Sequence, residues 1–325
     1  MLIMGNNSRS VLKMSKYVVG VDVGGTTIKF GIFRLDGELI EKFAIKTDIS
    51  DNGSHLLPDI ATTILNKLAE RSSTITDVKG VGVGIPGPVN DDGTVLVGVN
   101  IGWQQPIAVK SQLSELLGVP VYVSNDANIA AVGEMWLGAA KGVKSAVMYT
   151  LGTGVGGGVI VDGKVINGNS GAGGEIGHMV AVADGGALCG CGKRGCLETV
   201  ASATGIVRMI KEKLSSVSTD SKLRQIENIE AKDVFDAALL GDELALEVVD
   251  QVGYYLGISA ANLAATVNPE LFIFGGGVSY AGDILLTAIR KYYEQYAFPS
   301  VMNTPFVIAT LGNDAGIIGG AYLAI

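Results

Sequence analysis

Positive charge is scarce in this 325-residue chain: 24 Lys and Arg stand against 32 Asp and Glu, a formal net charge of −8. Neutralising nucleic-acid phosphates takes clustered Lys and Arg, so this balance argues against a nucleic-acid partner. It leaves room for a small anionic ligand, because main-chain N–H groups at glycine turns bind phosphate without net positive charge. Long hydrophobic runs are missing as well. The apolar stretches are strand-sized and broken by Gly, well below the roughly 18 residues of a spanning helix, and no membrane partner is expected. The opening residues carry Arg9, Lys13 and several Asn and Ser, without the apolar region of a secretory signal. Residues 1–15 are expected to be a disordered extension, and the cytoplasm is the expected compartment. Three Cys, all between residues 189 and 196, make a poor disulfide framework and a good metal cluster. No Walker A sequence occurs, which excludes a P-loop enzyme.

Glycine is what the chain has in excess: 46 residues, about twice the usual share of roughly 7%. They cluster at turns between apolar runs, as in proteins whose backbone approaches a ligand closely. The length allows two domains at roughly 100–200 residues each. Apolar runs at Tyr17–Val23, Thr27–Arg34 and 39–45 read as an antiparallel meander. Ile60, Ile64, Leu65 and Leu68 recur at helical spacing. Strands are expected at Val78–Ile85 and 121–124, with a helix beginning at Asn125-Asp126. Then the opening theme returns: a strand over 145–151, the turn Gly152-Thr153-Gly154, a strand at Val155–Val161 and an Asp162-Gly163 turn. This reads as an internal duplication. Helices follow over 204–216, 231–240 and 243–266, the last with Val248, Val252, Leu256, Leu263 and Val267 on one face. A strand over 271–274 runs into Gly275-Gly276-Gly277, and helices over 284–296 and Ala315–Leu323 flank a last strand over 306–309. Strands mixed with crossover helices make the fold class α/β.

Asp22-Val-Gly-Gly-Thr-Thr27 joins three useful parts. Gly24 and Gly25 let main-chain N–H groups face an oxyanion, and Thr26 and Thr27 offer hydroxyls. Asp22, at the strand end, can hold Mg²⁺ through water. Gly152-Thr153-Gly154 repeats the donors without the acid, and two such hairpins facing each other would grip a triphosphate from both sides. Each turn alone is equally well explained by tight hairpin geometry; the pair, with Gly275–277, favours phosphate.

His178, Cys189, Cys191 and Cys196 form an H-x10-C-x-C-x4-C pattern. Cys₃His is a closed zinc set with no position left for water, so a structural Zn²⁺ is expected. Asp126 follows a short buried strand, where its carboxylate either accepts a hydroxyl proton during phosphoryl transfer or caps the next helix. Glu175 lies three residues before His178 and Glu198 two after Cys196, so zinc would pin both carboxylates near each other as acceptors for sugar hydroxyls. Asn100 is a further polar group in an apolar, glycine-rich loop.

Asp22-Val-Gly-Gly-Thr-Thr27, Asn125-Asp126-Ala-Asn128, the run 151–158, Gly173-Gly-Glu-Ile-Gly-His178 and the run 189–198 resemble, in order, the ROK family of sugar kinases and repressors. The resemblance runs from about Lys16 to the end and is closest to the family's bacterial glucokinases. It implies an actin/Hsp70/hexokinase-like (ribonuclease H-like) fold, two α/β domains with an interdomain cleft. The smaller would hold residues 16–124, with 311–325 returning to it; the larger, 125–310, would carry the zinc loop. It further implies ATP with Mg²⁺ as donor, a hexose phosphorylated at the 6-hydroxyl, and Asp126 as catalytic base. Asn100, Asn125, Asp126, Glu175, His178 and Glu198 match the sugar-binding positions. Thr26, Thr27, Thr153 and Gly275–277 match the nucleotide side. Glucose is the expected substrate, with N-acetylmannosamine or fructose as alternatives. A sugar-sensing ROK repressor is a third possibility, but about 16 residues precede the first strand, too few for a helix-turn-helix. A homodimer is expected by analogy.

Overall fold

The structure, a computed structural model, describes residues 15–325, so the expected extension falls almost wholly outside the described residues. Two five-stranded sheets carry the fold. In the first, β1 (Tyr17–Val23), β2 (Thr27–Arg34) and β3 (Leu39–Lys46) form the antiparallel meander, and β4 (Val78–Ile85) and β7 (Val121–Asn125) extend it in parallel, in the order β3-β2-β1-β4-β7. Central β1 is apolar without alternation because both its faces are covered: Val18, Val19 and Val21 are fully buried. Edge strand β3 carries Glu41, Lys42 and Lys46, charges that blunt a free edge.

The intervening chain contains a one-turn α1 (Ser50–Gly53), α2 (Leu56–Glu70), the short antiparallel pair β5 (Thr94–Val95) and β6 (Ile107–Ala108), and α3 (Val109–Leu117). All of these but α2 escape the sequence reading. Leu57, Ile60, Ala61, Ile64 and Leu68 of α2 are buried, while Leu65, expected among them, faces solvent. Each buried Ile of such a stripe is worth about 2–5 kcal/mol against Ala.

The second sheet repeats the first. β8 (Ala146–Leu151), β9 (Val155–Val161) and β10 (Lys164–Val165) are antiparallel, and β11 (Leu271–Gly275) and β12 (Phe306–Ile308) run parallel to β8, in the order β10-β9-β8-β11-β12. Its helices are α5 (Glu198–Ala201), α6 (Ala203–Ser216), α7 (Ala231–Leu239), α8 (Glu243–Val267) and α9 (Asp283–Tyr296). The buried stripe of α8 runs Val248, Val252, Leu256, Ala260, Ala264 rather than through Leu263 and Val267, which are only partly buried. α9 packs closely on α8 at Gly253 and Gly257, where an added Cβ would lie 2.5 Å from the Ala288 backbone and 2.7 Å from the Ile289 carbonyl oxygen. Asn268, in the left-handed conformation, ends the helix.

Two more helices link the sheets. α4 (Asp126–Leu137) follows β7 of the first sheet and packs on β9 of the second; α10 (Ala315–Leu323) comes after β12 of the second and packs on β1 and β4 of the first. They cross backbone to backbone, since a Cβ on Gly319 would lie 1.7 Å from the Ile129 carbonyl oxygen. Among the described residues no helix is long and apolar enough to cross a membrane.

Candidate active site

The chemistry-bearing residues collect where parallel strands end, the usual ligand edge of an α/β sheet. Asp22 stands opposite Gly84 in the β1–β4 register, and Ile85 opposite Asn125 in the β4–β7 register. α4 therefore starts at the same edge as the first glycine turn. Its N-cap is Asn125, whose Oδ1 accepts from the N–H groups of Ala127 at 2.9 Å and Asn128 at 3.2 Å. The neighbouring Nδ2 donates to the Gly87 carbonyl at 3.2 Å. Asn125 thus takes the capping role that the sequence left open for Asp126. Asp126 becomes the first helical residue, half-buried, accepting one bond from the Ala127 N–H at 2.9 Å. Burial pushes its carboxyl above the ordinary value, and the hydrogen bonds from Ala127 and Asn125 only partly offset that.

The first glycine turn closes with the Gly24 N–H donating to the Thr27 carbonyl at 3.0 Å. Thr47, just after β3, donates its hydroxyl to the Gly24 carbonyl at 2.6 Å and its N–H to the Thr26 carbonyl at 3.0 Å. An open hollow of about 700 Å³ borders this turn, lined by Gly25, Thr26 and Lys46 to Ser50. Asn100 lies on the same side: its carbonyl oxygen would be 2.8 Å from a Cβ on Gly25. Asp22 is half-buried with Lys29 Nζ at 3.7 Å. Its pKa is raised, chiefly by burial; Lys29 opposes the rise and the charge of Asp126 adds to it.

The second turn has the Gly152 N–H donating to the Gly154 carbonyl at 3.0 Å, and the Thr153 side chain is exposed. Two donors from the start of α6 reach it: Ala203 N–H to the Gly152 carbonyl at 2.8 Å and the Thr204 hydroxyl to the Thr153 carbonyl at 2.9 Å. The Gly275–277 turn is brought alongside, because a Cβ on Gly276 would lie 2.5 Å from the Leu151 carbonyl oxygen.

Glu175 and Glu198 reach this region from different directions. Gly177 lets the loop holding Glu175 lie flat on the start of β9: a Cβ there would fall 1.9 Å from the Val155 carbonyl oxygen. Burial raises the Glu175 carboxyl; nearby His178 opposes this, while the charges of Asp126 and Glu198 add to it. Three acids therefore share one field. Glu198 Oε2 accepts from the Val155 N–H at 3.0 Å and Oε1 from the Cys189 thiol at 3.4 Å, so both its oxygens are engaged.

The ligand atoms of His178, Cys189, Cys191 and Cys196 all lie within 4.8 Å of one another. Cys189 Sγ is 3.6 Å from His178 Nδ1, and Cys191 Sγ is 3.6 Å from Cys196 Sγ. A tetrahedral Zn²⁺ with bonds of about 2.3 Å has edges near ~3.8 Å, so the donor set fits that ion. The other imidazole nitrogen, Nε2, is turned toward Glu175 Oε2 at 3.9 Å. Burial raises the thiols of Cys189 and Cys196, whereas the Lys193 N–H leads in lowering that of exposed Cys191.

Residues 18–325 match the model of the ROK family. The chain belongs to the ROK family. It is 48% identical to the glucokinase of Halalkalibacterium halodurans across 95% of this chain and 94% of that protein. Among solved structures it is similar to a ROK hexokinase from Thermus thermophilus, with 32% identity, a TM-score of 0.78 and coverage of 94% of this chain and 97% of that one. It is also similar to a ROK family glucokinase from Streptomyces griseus in complex with glucose and AMPPNP, with 34% identity, a TM-score of 0.74 and coverage of 94% and 98%. The actin-like two-domain fold of these kinases accounts for the repeated sheets of this ROK chain.

Sequence reasoning missed Thr47, Thr204 and the Asp22–Lys29 pair. Lys29 had a signal, since it stands opposite Asp22 across an adjacent hairpin. The two threonines had none, because their partners are 23 and 51 residues away.

Proposed function

We propose that this ROK chain is an ATP-dependent glucokinase that phosphorylates the 6-hydroxyl of glucose. The observation carrying the reading is the freedom of Asp126: Asn125 caps the helix, leaving a half-buried, ionisable carboxylate at the strand edge among the glycine turns. Similarity to a glucokinase over nearly the whole chain supports glucose as substrate.

On this reading the repeated sheets are the cores of two lobes, residues 16–124 with 311–325 and residues 125–310, with substrates between them. Asp126 accepts the proton of the sugar hydroxyl as its oxygen bonds to the γ-phosphorus. The bond from phosphorus to the β,γ-bridging oxygen breaks, and ADP leaves with that electron pair. The N–H groups of Gly25, Thr26, Thr153 and Gly154, with the hydroxyls of Thr26, Thr27 and Thr153, hold the phosphates, while the Gly24 and Gly152 N–H groups close their turns and Gly275–277 borders the nucleotide. Positioning supplies most of the rate gain. Asn100, Glu175, His178 and Glu198 receive sugar hydroxyls, and Asn125 steadies the start of α4. Asp22 would hold Mg²⁺ through water, offsetting phosphate charge. The Cys₃His set would hold a structural Zn²⁺ with Cys189 as thiolate, which releases Glu198 Oε1 from the thiol proton. The enzyme works in the cytoplasm as a homodimer on small molecules.

A coupled ADP-release assay with ATP across a hexose panel tests the reading. We expect kcat/KM to be highest for glucose. No turnover of glucose, or faster turnover of fructose or N-acetylmannosamine, would overturn it.

A further inference from the structure

A backbone turn binds an anion only when its N–H groups face the ligand and its carbonyl oxygens face away. Carbonyl dipoles aimed at phosphate would repel it. Both glycine turns meet this requirement with one device. In the first, a threonine hydroxyl takes the Gly24 carbonyl and a main-chain N–H takes that of Thr26, both from Thr47. In the second, the Thr204 hydroxyl takes the Thr153 carbonyl and the Ala203 N–H takes that of Gly152.

The repeated sheets do not by themselves produce this match. Thr47 comes one residue after β3, whereas Thr204 lies in the first turn of α6, beyond the cysteine loop. Two unrelated segments each supply one hydroxyl and one N–H, though at different places: the hydroxyl meets the first carbonyl of the first turn and the second carbonyl of the second. The surroundings differ too: Thr47 is buried, and Thr204 is exposed with its hydroxyl 3.0 Å from that of Ser202, which accepts the Gly205 N–H and caps α6. A shared local fold therefore does not explain the shared contact; the need to turn carbonyls outward does.

We infer that Thr47 and Thr204 are positioning residues for the nucleotide, each locking one glycine turn with its carbonyls withdrawn and the N–H groups that do not close the turn presented to phosphate. The inference rests on the kinase reading above. Valine keeps the shape of threonine and removes the donor; serine keeps the donor.

The test compares Thr47→Val, Thr204→Val, Thr47→Ser and Thr204→Ser with the unaltered protein by calorimetric titration of AMPPNP with Mg²⁺, then of glucose, and by steady-state kinetics. Each valine variant should raise the AMPPNP Kd and the KM for ATP about two- to tenfold, the cost of one hydrogen bond. The glucose Kd should stay unchanged, and serine should restore nucleotide binding. Nucleotide affinity within error of the unaltered protein in both valine variants would overturn the inference. So would a parallel loss of glucose affinity, which marks general loosening. AMPPNP binding is read without turnover, so failure of the glucose assay would sink the substrate reading and leave this test standing.

Discussion

The two sheets have one strand order and opposite chemistry at their turns. In the first, Asp22 stands across the hairpin from Lys29, an ion pair at 3.7 Å. In the second, the position one residue before the strand end is Thr150, and it faces Gly156. The acid and its cation exist on one side only. The second sheet carries instead the loop of Glu175 and His178 and the cysteine cluster leading into Glu198. A repeated scaffold thus presents a glycine turn twice, and each copy adds different groups, which on the proposed reading are a metal-holding acid in one and sugar acceptors in the other. Asp126 opens the helix after the last strand of the first sheet, whereas the helix in the matching place of the second, α10, opens with Ala315.

The sharpest break of that comparison is Asp126→Ala. Losing the general base should lower kcat by about 10²–10⁴-fold while glucose and AMPPNP still bind, checked by calorimetry beside kinetics. The unaltered enzyme adds a second check. Burial raises the Asp126 carboxyl above its ordinary value. The base works only when ionised, so kcat/KM, which reports the free enzyme, should begin to fall, as pH is lowered, above the usual carboxylate range of about 3.9. An acid limb at or below that value would contradict the buried setting.

How much of this was legible from residues alone follows from the range of the interactions. Val78–Ile85 and Ala315–Leu323 match their expected bounds, because apolar runs ending at Pro-Gly or at the chain end are local signals. The elements within 94–117 went unread: β5 and β6 have two residues each, too few for a period, while α3 does carry Val109, Leu113, Leu116 and Leu117 at helical spacing but over only nine residues. At the site, the glycine turns and the cysteine spacing were visible in single short windows. That Asn125 rather than Asp126 caps α4 depends on which side chain folds back, which composition does not decide. The engagement of Glu198 by Val155 and Cys189 needs three segments to meet, so it too stayed hidden.

Cys191→Ser tests the second sheet's addition. Losing one thiolate from a closed four-ligand set should release the metal, read as zinc content by atomic emission. Glu175, His178 and Glu198 lean on that loop, so the glucose Kd should rise about 10- to 150-fold, equivalent to one or more lost hydrogen bonds to charged groups. Zinc-free protein with unaltered glucose affinity would detach the cluster from the sugar acceptors and leave it a fold element alone.

The first sheet's addition is tested by a matched pair, Asp22→Asn and Thr150→Val, at equivalent positions of the two hairpins. Asp22 is proposed to act on Mg²⁺ through water, and outer partners of this kind are worth about 10–100-fold in metal affinity. Asn keeps the size of the side chain, which matters here because Gly316 leaves little room: a Cβ on it would come within 2.6 Å of the Asp22 carboxyl carbon. The Mg²⁺ concentration for half-maximal rate at saturating ATP should therefore rise by that factor in Asp22→Asn, and stay within about twofold in Thr150→Val, where no acid is lost. Equal responses from the two variants would mean that both hairpins act on the metal alike. The asymmetry would then reduce to the ion pair with Lys29, which opposes the rise that burial causes in the half-buried Asp22 carboxyl whether or not a metal is near.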